Sequence, residues 1–147
     1  MHFVTGGAFN GKAKWVRKFY SLDDHDSFLW LSAYQSDIDE NFLFISQQHL
    51  LVVEGVEQWI KSIAREESDS DAIRTRWRHT ISRFREWEAS KSGRTVILIG
   101  TDITKGIVPM DPFDRLWRDV TGWAYQDTVV VSDRVDLIFY GLANRLK

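Results

Sequence analysis

The stretch that decides the fold reads Thr5-Gly6-Gly7-Ala8-Phe9-Asn10-Gly11-Lys12-Ala13. From Gly6 to Lys12 it follows the pattern G-x-x-x-x-G-K of a phosphate-binding loop, and only Ala13 departs, because Ser or Thr normally follows the lysine. In such a loop the glycines let backbone N–H groups turn toward phosphate oxygens, the next helix contributes the positive end of its dipole, and the lysine adds a mobile charge. The stretch predicts a nucleotide-binding loop made of Gly6, Gly7, Ala8, Phe9, Asn10, Gly11, Lys12 and Ala13.

The sequence on either side of this loop has the setting that the motif requires. The apolar segment from Phe3 to Thr5 precedes it as a short strand, and Lys14 to Phe19 can form the helix that the loop opens. A glycine-rich turn with an exposed lysine is the alternative interpretation. The order strand, loop, helix favours phosphate binding.

Four further apolar segments are rich in β-branched or aromatic residues, and we predict them as strands: Phe28 to Ala33, Leu50 to Val53, Val96 to Ile99 and Val135 to Tyr140. Their hydrophobicity is continuous rather than alternating, which is typical of strands buried on both faces of a parallel sheet. Helical patterns lie between them, at Val56 to Glu67, at Asp71 to Trp87 and from Pro112 onward. We predict one α/β domain over residues 1–147, a mostly parallel sheet of about five strands flanked by helices.

Composition narrows the class of protein and its partners. The 147 residues include no cysteine, which excludes a disulfide framework and a cysteine nucleophile. The net charge of -2 gives no general attraction to nucleic acid or to acidic membranes. No segment approaches the ~18 apolar residues of a membrane span, and the N-terminal residues do not read as a secretory signal. We expect a soluble, cytoplasmic protein that binds neither nucleic acid nor membranes.

One predicted helix, Asp71 to Trp87, carries a cluster of arginines that RNA could contact: Arg74, Arg76, Arg78, Arg83 and Arg85. Because Glu86 and Glu88 are interleaved with them, we interpret this surface as a solvated, ion-paired helix face. A nucleic-acid binder is therefore only a minor hypothesis.

Two separated strings in the second half of the chain point to one enzyme family. Gly106-Ile107-Val108-Pro109 is followed by Arg115-Leu116-Trp117-Arg118-Asp119-Val120-Thr121-Gly122, and then by Gln126. In this order, behind the Thr5-Gly6-Gly7 start of the loop, they resemble the bifunctional adenosylcobinamide kinase / adenosylcobinamide-phosphate guanylyltransferase family of cobalamin assembly. The hallmark of that family is G-[IV]-V-P followed by R-x-[FY]-R-D-x-x-G-x-x-N-Q.

The resemblance continues in the first half of the chain. Ser32 to Glu40 looks like the family's second strand with the acidic pair that follows it, and Leu51 to Glu54 looks like its third strand. The resemblance implies a RecA-like phosphate-loop NTPase fold and a homo-trimer. It also implies an enzyme that phosphorylates the aminopropanol hydroxyl of adenosylcobinamide with ATP or GTP and then transfers GMP through a guanylylated histidine. The loop is expected to contact the phosphates of a nucleotide and not its base, so ATP and GTP both remain candidates.

The same resemblance points to catalytic residues at the ends of strands. With Lys12 at the phosphates, Glu54 after the third strand and Asp102 after the fourth would organise Mg²⁺, with Glu54 as the metal ligand. The alternative for both carboxylates is a structural role, capping a neighbouring loop or helix.

Three polar residues of the second family string fall on one side of a predicted helix, namely Arg115, Arg118 and Asp119. In the functional interpretation the arginines bind a nucleotide or substrate phosphate. In the alternative they pair with Asp111, Asp114 and Asp119 in a surface network.

Three departures from the family bear on catalysis. The family's segment R-I-x-x-H-x-x-x-R, which holds the guanylylated histidine, is missing between Glu40 and the third strand; His49 lies directly against that strand, and His25 precedes the second. Ala13 cannot supply the hydroxyl that coordinates Mg²⁺ between the β and γ phosphates. Tyr125 stands where the family has asparagine.

Two hypotheses from different classes follow. The first is a divergent adenosylcobinamide kinase that uses ATP or GTP with Mg²⁺ and has lost the guanylyltransferase step. The second is a nucleotide- or corrinoid-binding accessory protein that kept the fold and lost catalysis.

Overall fold

The computed structural model describes residues 1–24, 27–36 and 48–147. His25 and the predicted acidic pair Asp39-Glu40 lie outside the described residues. The strands are β1 (His2–Gly6), β2 (Phe28–Ser32), β3 (Leu50–Glu54), β4 (Thr95–Thr101), β5 (Arg134–Phe139) and β6 (Leu142–Arg145). The α-helices are α1 (Lys12–Phe19), α2 (Val56–Glu66), α3 (Ser70–Ala89) and α4 (Pro112–Val131). None of these helices is long and apolar enough to cross a membrane.

The strands form one sheet in the order β2-β3-β4-β1-β5-β6. β1 to β5 run parallel, and β6 pairs antiparallel with β5. The mostly parallel sheet with flanking helices confirms the predicted α/β class, and all five predicted strands are present. The prediction omitted β6, because Leu142–Arg145 is short and exposed throughout and therefore carries no burial pattern.

Helices cover both faces of the sheet, which explains the continuous hydrophobicity of its inner strands. On one face Val16 of α1 packs among Val4, Ile99 and other strand residues. On the other face α2 and α3 meet at Trp59, whose ring lies edge-to-face against Trp77 and Phe84. Both clusters are buried, so the sheet is the middle layer of the core.

The arginines of α3 pair with carboxylates, mostly on other elements. Arg74 and Arg78 both donate to Asp127 of α4, and Arg76 donates to Glu66 of α2. These ion pairs agree with the interpretation of this helix face as ion-paired rather than as a nucleic-acid surface.

The parallel strands end together at one edge of the sheet, which is the edge where open α/β folds bind ligands. β4 separates β1 from β3, with Gly6 opposite Thr101 and Glu54 opposite Ile99. Because neighbouring strands are about 4.8 Å apart, the phosphate-loop strand and the strand ending in Glu54 are about 10 Å apart. The fold thus brings the loop and the acidic strand end to one site.

Candidate functional site

Two glycines determine the shape of the loop after β1. Gly6 has φ 148°, and a Cβ there would collide with the carbonyl oxygen of Ile138 on β5. Gly11 has φ 84° and caps the start of α1, where it accepts a hydrogen bond from the backbone N–H of Trp15 at 2.9 Å. Gly6 needs glycine because the backbone of β5 approaches it closely, and Gly11 needs glycine because of its left-handed backbone conformation. The predicted motif requires glycine for the same reasons.

Lys12 is folded back over the loop and is only 8% exposed. Its ammonium group donates to the carbonyl oxygens of Gly6, at 3.1 Å, and Gly7, at 2.8 Å. Burial lowers the pKa of Lys12, although the carboxylates of Glu57, Glu54 and Asp102 act in the opposite direction. The lysine charge is therefore held inside the loop and close to an acidic wall.

The loop and the strand ends share a cleft of about 630 Å³. Its loop side comprises Ala8, Phe9, Gly11, Lys12, Ala13 and Lys14, and its other side includes Tyr34, Glu54, Glu57, Gln58, Ile99, Thr101 and Ile103. Glu54 thus shares a cleft with Lys12, as the strand-end argument anticipated. The indole N–H of Trp30 donates to Glu54 Oε2 at 3.0 Å and orients the carboxylate.

Asp102 caps the loop that follows β4. Its Oδ1 accepts hydrogen bonds from the Thr104 backbone N–H at 3.0 Å and from the Thr104 hydroxyl at 2.6 Å, and Lys105 lies 3.3 Å from Oδ2. Burial tends to raise the pKa of Asp102, but these hydrogen bonds and the Lys105 charge outweigh it and lower that pKa. Because its neighbours Thr101 and Ile103, rather than Asp102, line the cleft, this geometry matches the capping alternative. A metal role for Asp102 stays a prediction.

Glu57, in the first turn of α2, is a site residue that the sequence argument missed. It is 1% exposed, yet it lines the cleft. Its Oε1 accepts from the Tyr34 hydroxyl, and its Oε2 accepts from the Thr101 backbone N–H at 2.8 Å and the Tyr125 hydroxyl at 3.3 Å. Acidic residues are common at the start of a helix, so Glu57 did not stand out in the sequence. The one feature that could have indicated a site residue was its position one helical turn after Glu54.

The two phenols that hold Glu57 are themselves held protonated. Burial raises the pKa of Tyr125 well above its usual value, and burial together with the hydrogen bond to Glu57 raises that of Tyr34. The Tyr34 ring lies against Gly55, where a Cβ would come within 3.0 Å of a ring carbon. Tyr125, which replaces the asparagine of the family string, does not line the cleft itself but holds Glu57, which does.

A second cleft, of about 330 Å³, brings together the three polar residues of the second family string: Arg115, Arg118 and Asp119. Arg115 donates to the carbonyl oxygens of Pro109 and Met110, at 3.0 and 2.6 Å. Arg118 Nη2 donates to the Thr104 carbonyl at 2.5 Å, and Arg118 Nη1 is buried with no hydrogen-bond partner in the described part of the chain.

These arginine contacts differ from the surface network that we considered as an alternative. The bonds of Arg115 and Arg118 go to backbone carbonyls, Asp111 caps α4, and Asp114 lies 3.8 Å from Lys61. Arg118 Nη1, which has no partner among the described residues, instead suits an anionic or carbonyl oxygen entering the second cleft.

His49 lies far from both clefts. It is exposed immediately before β3, whereas Glu54 ends that strand at the opposite edge. A strand of this length spans about 15 Å. His49 is therefore not placed to replace the missing nucleophilic histidine.

The donor atoms of the first cleft suit Mg²⁺ only together with a nucleotide. The described residues contain no cluster of three or more His, Cys, Asp or Glu side chains able to hold a metal. Mg²⁺ does not need one, because it usually binds one or two carboxylates, substrate phosphates and water. Glu54 offers such a carboxylate in the same cleft as Lys12, whereas Ala13 offers no oxygen from its side chain.

Comparison with known families agrees with this arrangement. A family model described as cobinamide kinase / cobinamide phosphate guanyltransferase matches residues 30–146, from β2 through β6. No curated protein matches the chain. The match covers most of the chain and includes both family strings from Gly106 to Gln126, while the phosphate loop precedes it. The chain belongs to the cobinamide kinase / cobinamide phosphate guanyltransferase family.

Proposed function

We propose that this protein is a cobinamide kinase, which transfers the terminal phosphoryl group of ATP or GTP to the aminopropanol hydroxyl of adenosylcobinamide. The family acts in cobalamin biosynthesis, and it is the family that suggests the nucleotide and cobinamide substrates. The observation that carries the kinase assignment is the cleft that Lys12 and its loop share with Glu54. A cation beside a glycine-shaped loop, facing a carboxylate, is the arrangement that phosphoryl transfer uses.

In this proposal, the loop binds the triphosphate through its backbone N–H groups, and Lys12 turns from the Gly6 and Gly7 carbonyls to the phosphates. Glu54, together with the phosphates, would hold Mg²⁺, which would supply positive charge to offset the negative charge of the triphosphate. The acceptor oxygen forms a bond to the γ-phosphorus while the bond from the γ-phosphorus to the β–γ bridging oxygen breaks, so that ADP or GDP leaves and the hydroxyl proton passes to solvent. The protein acts by positioning and by charge neutralisation.

The second cleft would bind the other partner of the reaction. Arg118 Nη1, which has no hydrogen-bond partner where the structure describes the chain, is a charge-assisted donor for a phosphate or amide oxygen, and Arg115 holds the loop at Pro109 and Met110 in place. The loop after β4 joins the two clefts, because Ile103 lines the first and Thr104 lines the second.

Guanylyl transfer through a histidine is not part of the proposed activity. The histidines that the structure describes are His2, His49 and His79, and none of them lines either cleft. Transfer of GMP by the family's route would need a histidine from outside the described residues or from another protein.

The proposal is tested by incubating the protein with adenosylcobinamide, Mg²⁺ and either ATP or GTP, and by detecting phosphorylated corrinoid with mass spectrometry. We expect product with the native chain and a loss of about 10³-fold in kcat/KM for Lys12→Met, because a preorganised charge on the transferred group is removed. Lys18→Met, an exposed lysine on the same helix, is the matched control. No phosphorylated corrinoid with either nucleotide would refute the kinase assignment.

A second candidate function, a nucleotide- or corrinoid-binding accessory protein, is favoured by the methyl group of Ala13 in the cleft. For such a protein, Ala13→Ser restores the missing hydroxyl and should raise Mg²⁺-dependent turnover from near zero. High turnover by the native chain that Ala13→Ser leaves unchanged would exclude this candidate.

A further inference from the structure

Two aromatic side chains stand exposed beside the phosphate loop. Phe9 lies within the loop and is fully exposed, and Tyr140, in the turn between β5 and β6, is 80% exposed. Both have left-handed backbone conformations, with φ 59° and φ 50°. Large side chains rarely adopt this conformation, and exposed apolar groups that cluster together often mark a binding site.

The loop and the turn form one unit because Asn10 joins them. The carbonyl oxygen of Asn10 accepts a hydrogen bond from the Gly141 N–H at 2.9 Å, and its side-chain oxygen accepts from the Tyr140 N–H at 2.9 Å. Phe9 precedes Asn10 in the chain, so the two aromatic residues flank one hydrogen-bonded junction. The Tyr140 ring also contacts Phe139, with ring centroids 4.3 Å apart.

We propose that Phe9 and Tyr140 form the base-binding rim of the nucleotide site, where they stack on a purine. This inference rests on the proposed function, because it requires the triphosphate to lie in the loop. The sugar and base of such a nucleotide must leave the loop at its rim, and Phe9 also lines the cleft. Aromatic stacking uses the face of a base and not its hydrogen-bonding edge, so the rim accepts adenine and guanine alike.

A second copy of the chain is the other occupant that this exposed surface suggests. Continuity with the loop favours the nucleotide, because Asn10 ties Tyr140 directly to the residues that would hold the phosphates. The experiment therefore measures both nucleotide affinity and self-association.

The test compares ligands that share phosphates but differ in the base. Calorimetry with Mg²⁺ measures binding of ATP, GTP, CTP and inorganic tripolyphosphate to the native chain, Phe9→Asn and Tyr140→Asn. Asparagine tolerates the left-handed backbone, so each change removes the ring with little effect on the loop conformation. We expect each variant to weaken ATP and GTP about tenfold, to weaken CTP less and to leave tripolyphosphate unchanged.

Two control variants separate stacking from a general effect of the hairpin. Tyr140→Phe keeps the ring and should retain native affinity for ATP and GTP. Leu142→Asn removes an exposed apolar side chain from the same hairpin and should change no affinity.

The outcomes distinguish this inference from the proposed function. The base-binding rim is refuted if the variants lose equal affinity for ATP and tripolyphosphate, or if the native chain binds ATP no more tightly than tripolyphosphate. In either case the loop remains a phosphate site. Failure of every ligand to bind overturns both. Self-association in sedimentation experiments that the variants abolish, with ATP affinity unchanged, assigns the surface to a second copy and overturns the inference.

Discussion

Two buried carboxylates at opposite edges of the same sheet have contrasting surroundings. Asp136 of β5 lies near the edge at which the parallel strands begin, here called the amino edge. Glu57 of α2 lies at the carboxyl edge, where those strands end, and each of the two residues is about 1% exposed. Arg134 donates to Asp136 at 2.5 Å and His2 contacts it at 2.8 Å. Among the residues that the structure describes, the side-chain carboxylate of Glu57 accepts hydrogen bonds from neutral donors, namely two phenols and a backbone amide.

At the amino edge the charge is compensated locally. Burial acts to raise the pKa of Asp136, but Arg134 and His2 outweigh it and lower that pKa. Burial lowers the pKa of His2 to about 4, so the imidazole is neutral near pH 7. Its Nε2–H then donates to Asp136, and the Tyr20 hydroxyl, whose pKa burial raises to about 12, donates to Nδ1.

At the carboxyl edge, Lys12 and Glu57 line the same cleft without a direct ion pair between them in the part of the chain that the structure describes. Glu57 raises the pKa of Lys12 against the effect of burial. A carboxylate that a neighbouring arginine neutralises stabilises the fold. In the proposed function, Lys12 turns from its loop toward the phosphates, so the charge around Glu57 changes when the nucleotide binds.

The largest effect that should distinguish the two edges is on stability. Asp136→Asn leaves Arg134 and His2 without their buried anion, so we expect the free energy of unfolding to fall by about 3 kcal/mol. Urea denaturation measures this change, and nucleotide affinity of the folded variant should stay native. A loss below about 0.5 kcal/mol would contradict the role assigned to the amino-edge network.

The pH dependence of stability provides a second, smaller difference. The pKa of His2 falls from 6.5 in the unfolded chain to about 4 in the folded one, so its contribution is complete above pH 6.5 and is lost as the pH falls toward 4. Between pH 6.5 and 5 the loss should be about 2 kcal/mol.

Urea titrations at several pH values test this expectation, with His2→Gln as the variant in which the slope over that interval should flatten. The same slope in both proteins would show that other groups cause it.

The smallest expected effect concerns Glu57 and has opposite signs for stability and binding. Glu57→Gln keeps the size of the side chain but removes a charge that repels phosphates, so ATP should bind about fivefold tighter. The weakened hydrogen bonds should lower the free energy of unfolding by about 1 kcal/mol. Calorimetry and urea denaturation measure the two changes, and Glu66→Gln, on the exposed part of the same helix, is the control. Weaker ATP binding would show that Glu57 positions the loop instead.

The strands and helices were predictable where burial leaves a pattern along the chain. Val96 to Ile99 lies inside β4, and Pro112 begins α4 as predicted, because Asp111 caps the helix immediately before it. β6 could not be found in this way, since its four residues are all exposed and its pairing depends on the turn at Tyr140 and Gly141.

The site was predictable only in part. Lys12 and Glu54 could be placed in one cleft because both follow from motifs at strand ends. Glu57 could not, because its burial depends on Tyr34 and Tyr125, which are distant in sequence. The family resemblance predicts that Asp102 helps to hold the metal. In the structure its carboxylate instead accepts a hydrogen bond from Thr104, a contact that the sequence pattern does not indicate.

By itself, the sequence determined the phosphate-loop motif, the α/β class and the family, because glycine spacing, continuous hydrophobic segments and the strings from Gly106 to Gln126 are local features of the chain. Only the tertiary structure decided which charges face one another. It turned Lys12 onto its own loop, buried Glu57 in the wall of the cleft and joined Tyr140 to Asn10 by a hydrogen bond. These contacts join residues from different elements, and their energies depend on burial and distance, which only the folded chain defines.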